Sequence, residues 1–310
     1  MTPLAIVVRI LSNPLANVFQ KQLTQRSAHP IFIIAAVHTV LAVACLPYCF
    51  LPGTLNLAPA VWTNMIVAAV LAVAGNVLLV YALSETDLSI LGPINAYKSV
   101  VGLVLGVFLV GERPTPTGLA GVLLIVAGSY FVIDGSNQPV HPPTRSGAPA
   151  EQSGRMSNAF VRFFRQRGVQ LRFAALFFSA TEALFEKRAI VLSSPAIVFV
   201  LWSGLGCAIA AAWTVVVLRR QLRGQLVVLR GGLGTFVWLV VATATMQLAT
   251  VFTFRALQVG YSLALFQLSA IVSVFLGRHY FAETNIRERL IGSVIMVAGA
   301  ALIVIFGHGR

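Results

Sequence analysis

Apolar residues in this chain neither alternate with polar ones nor line a single helical face; they fill whole segments. Runs such as AVWTNMIVAAVLAVAGNVLLVYAL and LIGSVIMVAGAALIVIFG approach the roughly 20 residues that a helix rising about 1.5 Å per residue needs to cross a bilayer's hydrocarbon core. Strands of a membrane barrel would instead alternate apolar and polar positions over about ten residues. The pattern therefore predicts an all-α integral membrane protein and excludes the barrel. Hydropathy and breakers mark ten transmembrane helices, over residues 3–24, 30–51, 62–83, 88–110, 115–134, 171–192, 195–218, 233–257, 262–282 and 288–306. The first is interrupted by Arg9, Asn13, Pro14, Asn17, Gln20 and Lys21. With no long apolar centre and no small-residue cleavage site, it reads as a retained helix rather than a signal peptide. Polar side chains on a spanning helix must face protein or water, so this span is expected to wall a cavity.

Composition agrees: 58% hydrophobic and 10% charged residues over 310 positions, with mean hydropathy +0.87, exclude a water-soluble fold. The net charge of +13 resembles a nucleic-acid footprint until its positions are mapped. Most of the 22 Lys and Arg fall in the gaps after odd-numbered spans. That one-sided bias sets orientation, placing the central linker in the cytoplasm and both termini outside. Nucleic acid is not an expected partner; the lipid bilayer is. Cys45, Cys49 and Cys207 all lie in apolar spans and read as small packing residues, so no metal site, disulfide framework or cofactor is expected. Three Lys against 19 Arg suit a GC-rich bacterial genome, and hence a multi-pass protein of the bacterial cytoplasmic (inner) membrane.

Residues 135–170 are rich in Pro, Gly, Ser and Arg and read as a basic linker between two halves, 1–134 and 171–310. Its later part, AFVRFFRQRGVQLRF, suits either a short amphipathic helix on anionic headgroups or a solvated basic segment. The halves repeat one another. Glu112 precedes Gly121 by nine residues and Gly128 by sixteen, and Glu283 stands in the same relation to Gly292 and Gly299. Phe19, Gln20, Lys21 and then Pro30 likewise match Phe185, Glu186, Lys187 and then Pro195. Five spans used twice, five being odd, give two inverted five-helix repeats, an arrangement suited to alternating access around a midplane site.

These features together, the ten-span layout, the paired Glu-Gly-Gly helices closing each half and the Lys at the ends of spans one and six, resemble the EamA-like branch of the drug/metabolite transporter superfamily over residues 3–306. The resemblance implies a secondary transporter, an exporter or exchanger of small metabolites or drugs, with a central cavity lined by the earlier spans of each half. It also implies both termini in the cytoplasm, opposite to the reading from the Arg bias.

Charges at mid-span cost about 2.5–3.5 kcal/mol each on insertion scales, and two stand out: Lys98 in span four and Glu182 in span six. At similar depth they can pair across the halves. Glu182 is the candidate proton carrier or holder of a cationic substrate, with Lys98 tuning it and Glu186 one turn on sharing its face. The alternatives are a permanent salt bridge that docks the halves, or snorkelling to separate water pockets. Pro93 is expected to break span four beside Asn95 and Tyr97, and Pro14 to break span one between Asn13 and Asn17, opening hydrogen-bonding groups to a cavity. Gln247 and Gln267 are weaker binding candidates that read more readily as interhelical glue. Gly102, Gly106, Gly118, Gly121, Gly292 and Gly299 predict close helix packing within one chain in preference to a homodimer seam, leaving monomer or homodimer open. No catalytic residue is expected: HExxH, GxSxG and phosphate-loop motifs are absent, and the GYSLA around Ser262 lacks a His or acid neighbour. The function expected is secondary active transport of a small organic molecule with proton coupling; the alternative is a membrane sensor or scaffold acting through the basic linker.

Overall fold

The computed structural model describes residues 2–51, 54–101, 104, 113–134, 161–257, 259–306 and 308–309. Within them the chain forms α1 (Thr2–Gln25), α2 (Pro30–Cys49), α3 (Pro59–Glu85), α4 (Leu88–Ile94), α5 (Pro116–Asp134), α6 (Arg167–Leu192), α7 (Pro195–Leu218), α8 (Leu222–Gly231), α9 (Leu233–Ala256), α10 (Val259–Phe266), α11 (Ser269–Phe281) and α12 (Ile286–Phe306). Proline opens α2, α3 and α7, where its missing N–H would have had no partner anyway and its fixed φ suits the first turn. Ser194 caps α7 by accepting from the Ile197 amide at 3.3 Å. The α11–α12 turn needs left-handed backbone at Ala282 (φ 50°) and Asn285 (φ 57°). A two-residue antiparallel pairing, β1 (Arg113–Pro114) with β2 (His308–Gly309), joins the start of α5 to the end of α12.

Among the described residues six helical stretches are long and apolar enough to cross a membrane: α1, α2, α3, α7, α9 and Ser262–Phe281. The protein is an all-helical, multi-pass membrane protein. Its dominant packing pairs are α3 with α6, α5 with α12, α1 with α9, α2 with α7 and α4 with α11. Two buried clusters result, one including Ile33, Met65, Val198 and Trp202, the other Leu91, Ile125, Leu176 and Met296. The α5–α12 pair is closest at the repeated glycines. A Cβ on Gly121 would lie 2.6 Å from the Gly299 carbonyl, and one on Gly128 2.8 Å from that of Gly292. These glycines pack α5 and α12 against each other within one chain; Glu112, Gly102 and Gly106 lie outside the described residues.

Several expectations need correction. Pro14 does not break its span: α1 runs uninterrupted from Thr2 to Gln25 with Pro14 buried inside it, one missing donor being tolerable where the flanking turns keep their bonds and neighbouring helices pack around them. The ninth span, expected as a single helix, is divided into α10 and α11 by a turn at Gln267–Leu268, although no proline marks the place. The helix α8 was not anticipated; its apolar residues alternate with Arg223 and Arg230, and none of it is buried. Gln225 on α8 accepts from the His29 amide at 2.7 Å and Arg26 donates to the Gly231 carbonyl at 2.8 Å, so α8 is held against the α1–α2 turn. Of the Arg-Phe segment, Phe163 is buried in the second cluster and Phe164 packs on Phe173 at 5.5 Å between ring centroids. That aromatic part packs on protein.

Candidate functional site

The two helix breaks position the site. In α4 the Asn95 amide bonds to the Gly92 carbonyl, three residues back, instead of to Leu91 as α-helical spacing requires. The Leu91 carbonyl thus released accepts from Nε of Arg172 on α6 at 3.2 Å, and Nη2 of the same guanidinium donates to Asn95 Oδ1 at 2.9 Å. At the second break the Gln267 amide bonds to Ala264. There the released Leu263 carbonyl accepts from Nε2 of Gln267 itself at 2.9 Å. Each break therefore turns backbone into a polar site and covers one exposed carbonyl with a side chain.

Between the breaks lies a cavity of about 120 Å³ walled by α1, α2, α3, α6, α7, α9, α10 and the segment after α4. It gathers Lys98, Glu182, Glu186, Asn13, Asn17, Asn95, Gln247 and Gln267. Glu182 and Glu186 are successive on one face of α6. Glu182 accepts from Nε1 of Trp202 at 3.3 Å, and the buried Glu186 accepts from Nε2 of Gln247. Gln247 thus ties α9 to α6 through a carboxylate that faces the cavity. Tyr97 is not in this lining: its hydroxyl donates to Ser129 on α5 at 3.1 Å and its ring meets Phe173 edge-on at 5.1 Å. Pro14 and Pro93 are likewise buried outside the lining. Lys98 and Glu182 share the cavity, but among the described residues no ion pair within 4.0 Å joins them. The permanent salt bridge named as an alternative is not formed among the described residues, and the two charges face a common space.

The sequence pattern understated three further contributors. Arg9, which interrupted the first span, reaches into the cavity, donates to Thr250 Oγ1 at 2.7 Å and lies over the Phe266 ring at 4.8 Å. Arg172, at the very start of the sixth span, is 7% exposed and tied to the α4 break. His38 is buried with its ring 4.3 Å from Trp202 and against Gly206, where an added Cβ would meet it at 2.3 Å. Only Arg9 carried a signal, as a cation within an apolar run. Among the described residues no group of three His, Cys, Asp or Glu stands ready to hold a metal.

A second polar cluster closes the helix ends away from the cavity. Glu283 accepts from the amides of Leu88 at 2.8 Å and Ser89 at 2.9 Å and from the Ser89 hydroxyl. Lys21 donates to Glu283 and to the Thr86 carbonyl, both at 3.1 Å. Arg289 pairs with Asp87 at 3.0 Å and with Glu283 at 3.6 Å. Lys187, which matches Lys21 in the sequence, instead donates to the carbonyls of Phe254 and Leu257.

Residues 4–134 match the model of the EamA-like transporter family. A protein of known crystal structure, 15% identical, superposes with a TM-score of 0.52 over 98% of this chain and 97% of its own; at that identity the likeness is one of fold. None of the curated proteins matches the chain.

Proposed function

We propose that this protein is a secondary active transporter of a small organic molecule, an exporter or exchanger in the bacterial cytoplasmic membrane, working by alternating access of two inverted five-helix repeats, residues 1–134 and 171–310. The observation that carries the reading is the convergence of Arg9, Lys98, Glu182 and Glu186 on one enclosed cavity between two broken helices. Charges so deep in a membrane protein are retained at a cost of several kcal/mol each, and here they are not neutralised by direct pairing.

Packing supports the repeat. Exchange α1 with α6, α2 with α7, α3 with α9, α4 with α10–α11 and α5 with α12, and the pairing scheme is unchanged: α3 on α6 becomes α9 on α1, and the other three major pairs map onto themselves. Lys21 on the Thr86 carbonyl and Lys187 on the Leu257 carbonyl obey the same exchange. The Lys21–Glu283–Arg289 cluster closes one end of the bundle, and its counterpart at the other end lies around Lys187. Alternating access is then the exchange of these two end-states around the cavity.

Glu182 is the proton carrier in this scheme, with Trp202 and Lys98 as the groups that meet its charged form. Purified protein in liposomes, supplied with pooled metabolites, is expected to move protons on addition of one pool, and the Glu182→Gln variant to lose that flux. Wild-type flux and pH dependence in Glu182→Gln would rule out the carrier role.

A further inference from the structure

The cavity's charge bears on which substrates it admits. Its lining contains three cations, Arg9, Lys98 and Arg172, and two carboxylates, Glu182 and Glu186. With all five ionised the lining holds one surplus positive charge. Proton uptake by either carboxylate, or by His38 in the same wall, enlarges that surplus; loss of the Lys98 proton brings the lining only to neutrality. In no such state does the cavity become net negative. Like charges at contact distance repel as strongly as opposite charges attract, so a free cation entering this space is disfavoured.

The three cations are not equivalent. Arg172 is fully engaged in the α4 break through Leu91 and Asn95 and is a structural clamp. Arg9 is held flat by Thr250 and Phe266, yet its Nη1 is buried without a hydrogen-bond partner. Lys98 makes no ion pair within 4.0 Å among the described residues. Both carboxylates, by contrast, already accept a hydrogen bond, from Trp202 and Gln247. The neutral side chains of Gln20 and Gln267 leave carbonyl oxygens unpartnered in the same lining, but among its charged groups the vacant capacity is that of the cations, for which a carboxylate or a comparable acid group supplies the acceptor.

Resting on the transporter reading above, we infer that the cavity selects small organic monoanions, seating the acid group between Arg9 and Lys98, and rejects organic cations. Trp202, hydrogen-bonded to Glu182 in the same wall, reports occupancy through its fluorescence once Trp62, Trp213 and Trp238 are replaced by Phe. The probes are three matched sets at neutral pH: acetate, lactate and benzoate as sodium salts, their amides, and the amines methylammonium and benzylammonium. At least one carboxylate is expected to titrate the Trp202 signal at concentrations where its amide and the amines do not, and Arg9→Gln to weaken that titration by about tenfold or more, the factor that corresponds to about 1.4 kcal/mol. A Lys98→Met variant gives the second test of the same seat with an independent fold check. Amines titrating as strongly as carboxylates, or no carboxylate titrating at all, would overturn the proposal. The two readings fail separately: cations or neutral compounds carried into liposomes while anions are ignored would leave a transporter with a different selectivity. Anions that bind the cavity but are never carried would leave the anion seat without the transporter.

Discussion

Lys21, in the last turns of α1, donates to Glu283 in the α11–α12 turn at 3.1 Å, across 262 residues of sequence, and its ammonium lies 4.7 Å from the centre of the Phe281 ring. One side chain thereby ties the end of the first helix to the end of the eleventh, and through Thr86 to the α3–α4 junction. The pair is almost dry, at 10% and 3% side-chain exposure, so it tolerates loss of either partner poorly.

Glu283→Gln is expected to destabilise the protein by about 3 kcal/mol, because Lys21 would keep its charge without its carboxylate partner and Arg289 would keep Asp87 alone. Thermal unfolding in detergent measures it; an unchanged midpoint would show that the cluster is not holding these helix ends.

The same carboxyl gives the protein an acid limit. Burial acts to raise the Glu283 pKa, but Lys21 and the hydrogen bonds from Ser89 and Leu88 outweigh it and hold the group below its ordinary 4.5. A lowered folded-state value adds stability that is complete above the unfolded pKa and is lost as pH falls through the folded one. Wild type should therefore lose stability on acidification below about pH 4.5 more steeply than Glu283→Gln, as followed by unfolding midpoints across that range.

Gly121→Leu and Gly299→Leu should each cost about 3 kcal/mol or prevent folding, since the new side chain meets backbone rather than a movable side chain. Gly204→Ala, where an added Cβ meets nothing within 4 Å, is the matched control and should leave the unfolding midpoint within a degree or so of wild type.

Arg172→Lys should loosen the α4 break although it keeps the charge. A lysine cannot donate to Leu91 and Asn95 through a rigid fork, and losing one such charge-assisted bond is worth about 2 kcal/mol. Faster amide hydrogen exchange over Leu91–Ser99, with no matching change around Gln267, is the expected result.

Much of the fold was legible because membrane helices advertise themselves: a run of apolar residues has no other stable use at that length. The ends of α2, α7 and α12 followed from Pro30, Pro195 and the polar turn after Phe281. The break in span nine was not legible, because its cause is a tightened turn stabilised by the Gln267 side chain and no residue type demands it. Of the site, Lys98 and Glu182 were legible as charges without local excuse. Arg172 was not, since two residues past the linker a cation reads as solvated, and only the packing of α6 on α4 shows it buried. Tyr97 follows the same logic in reverse: its neighbours in sequence face the cavity, but its position around the helix turns it toward Ser129.

The two carbonyls released at the breaks are covered differently, and this has a mechanical consequence. Leu91 is bolted to a neighbouring helix through Arg172, so α4 cannot flex there without moving α6 or giving up charge-assisted bonds. Leu263 is covered by Gln267 from within its own strand of backbone, and that cover travels with the joint. One pivot of the bundle is fastened to an adjacent beam and the other turns on its own pin. A deformation that bends the bundle at both breaks therefore meets unequal stiffness, and the compliant side is the one formed by α10 and α11.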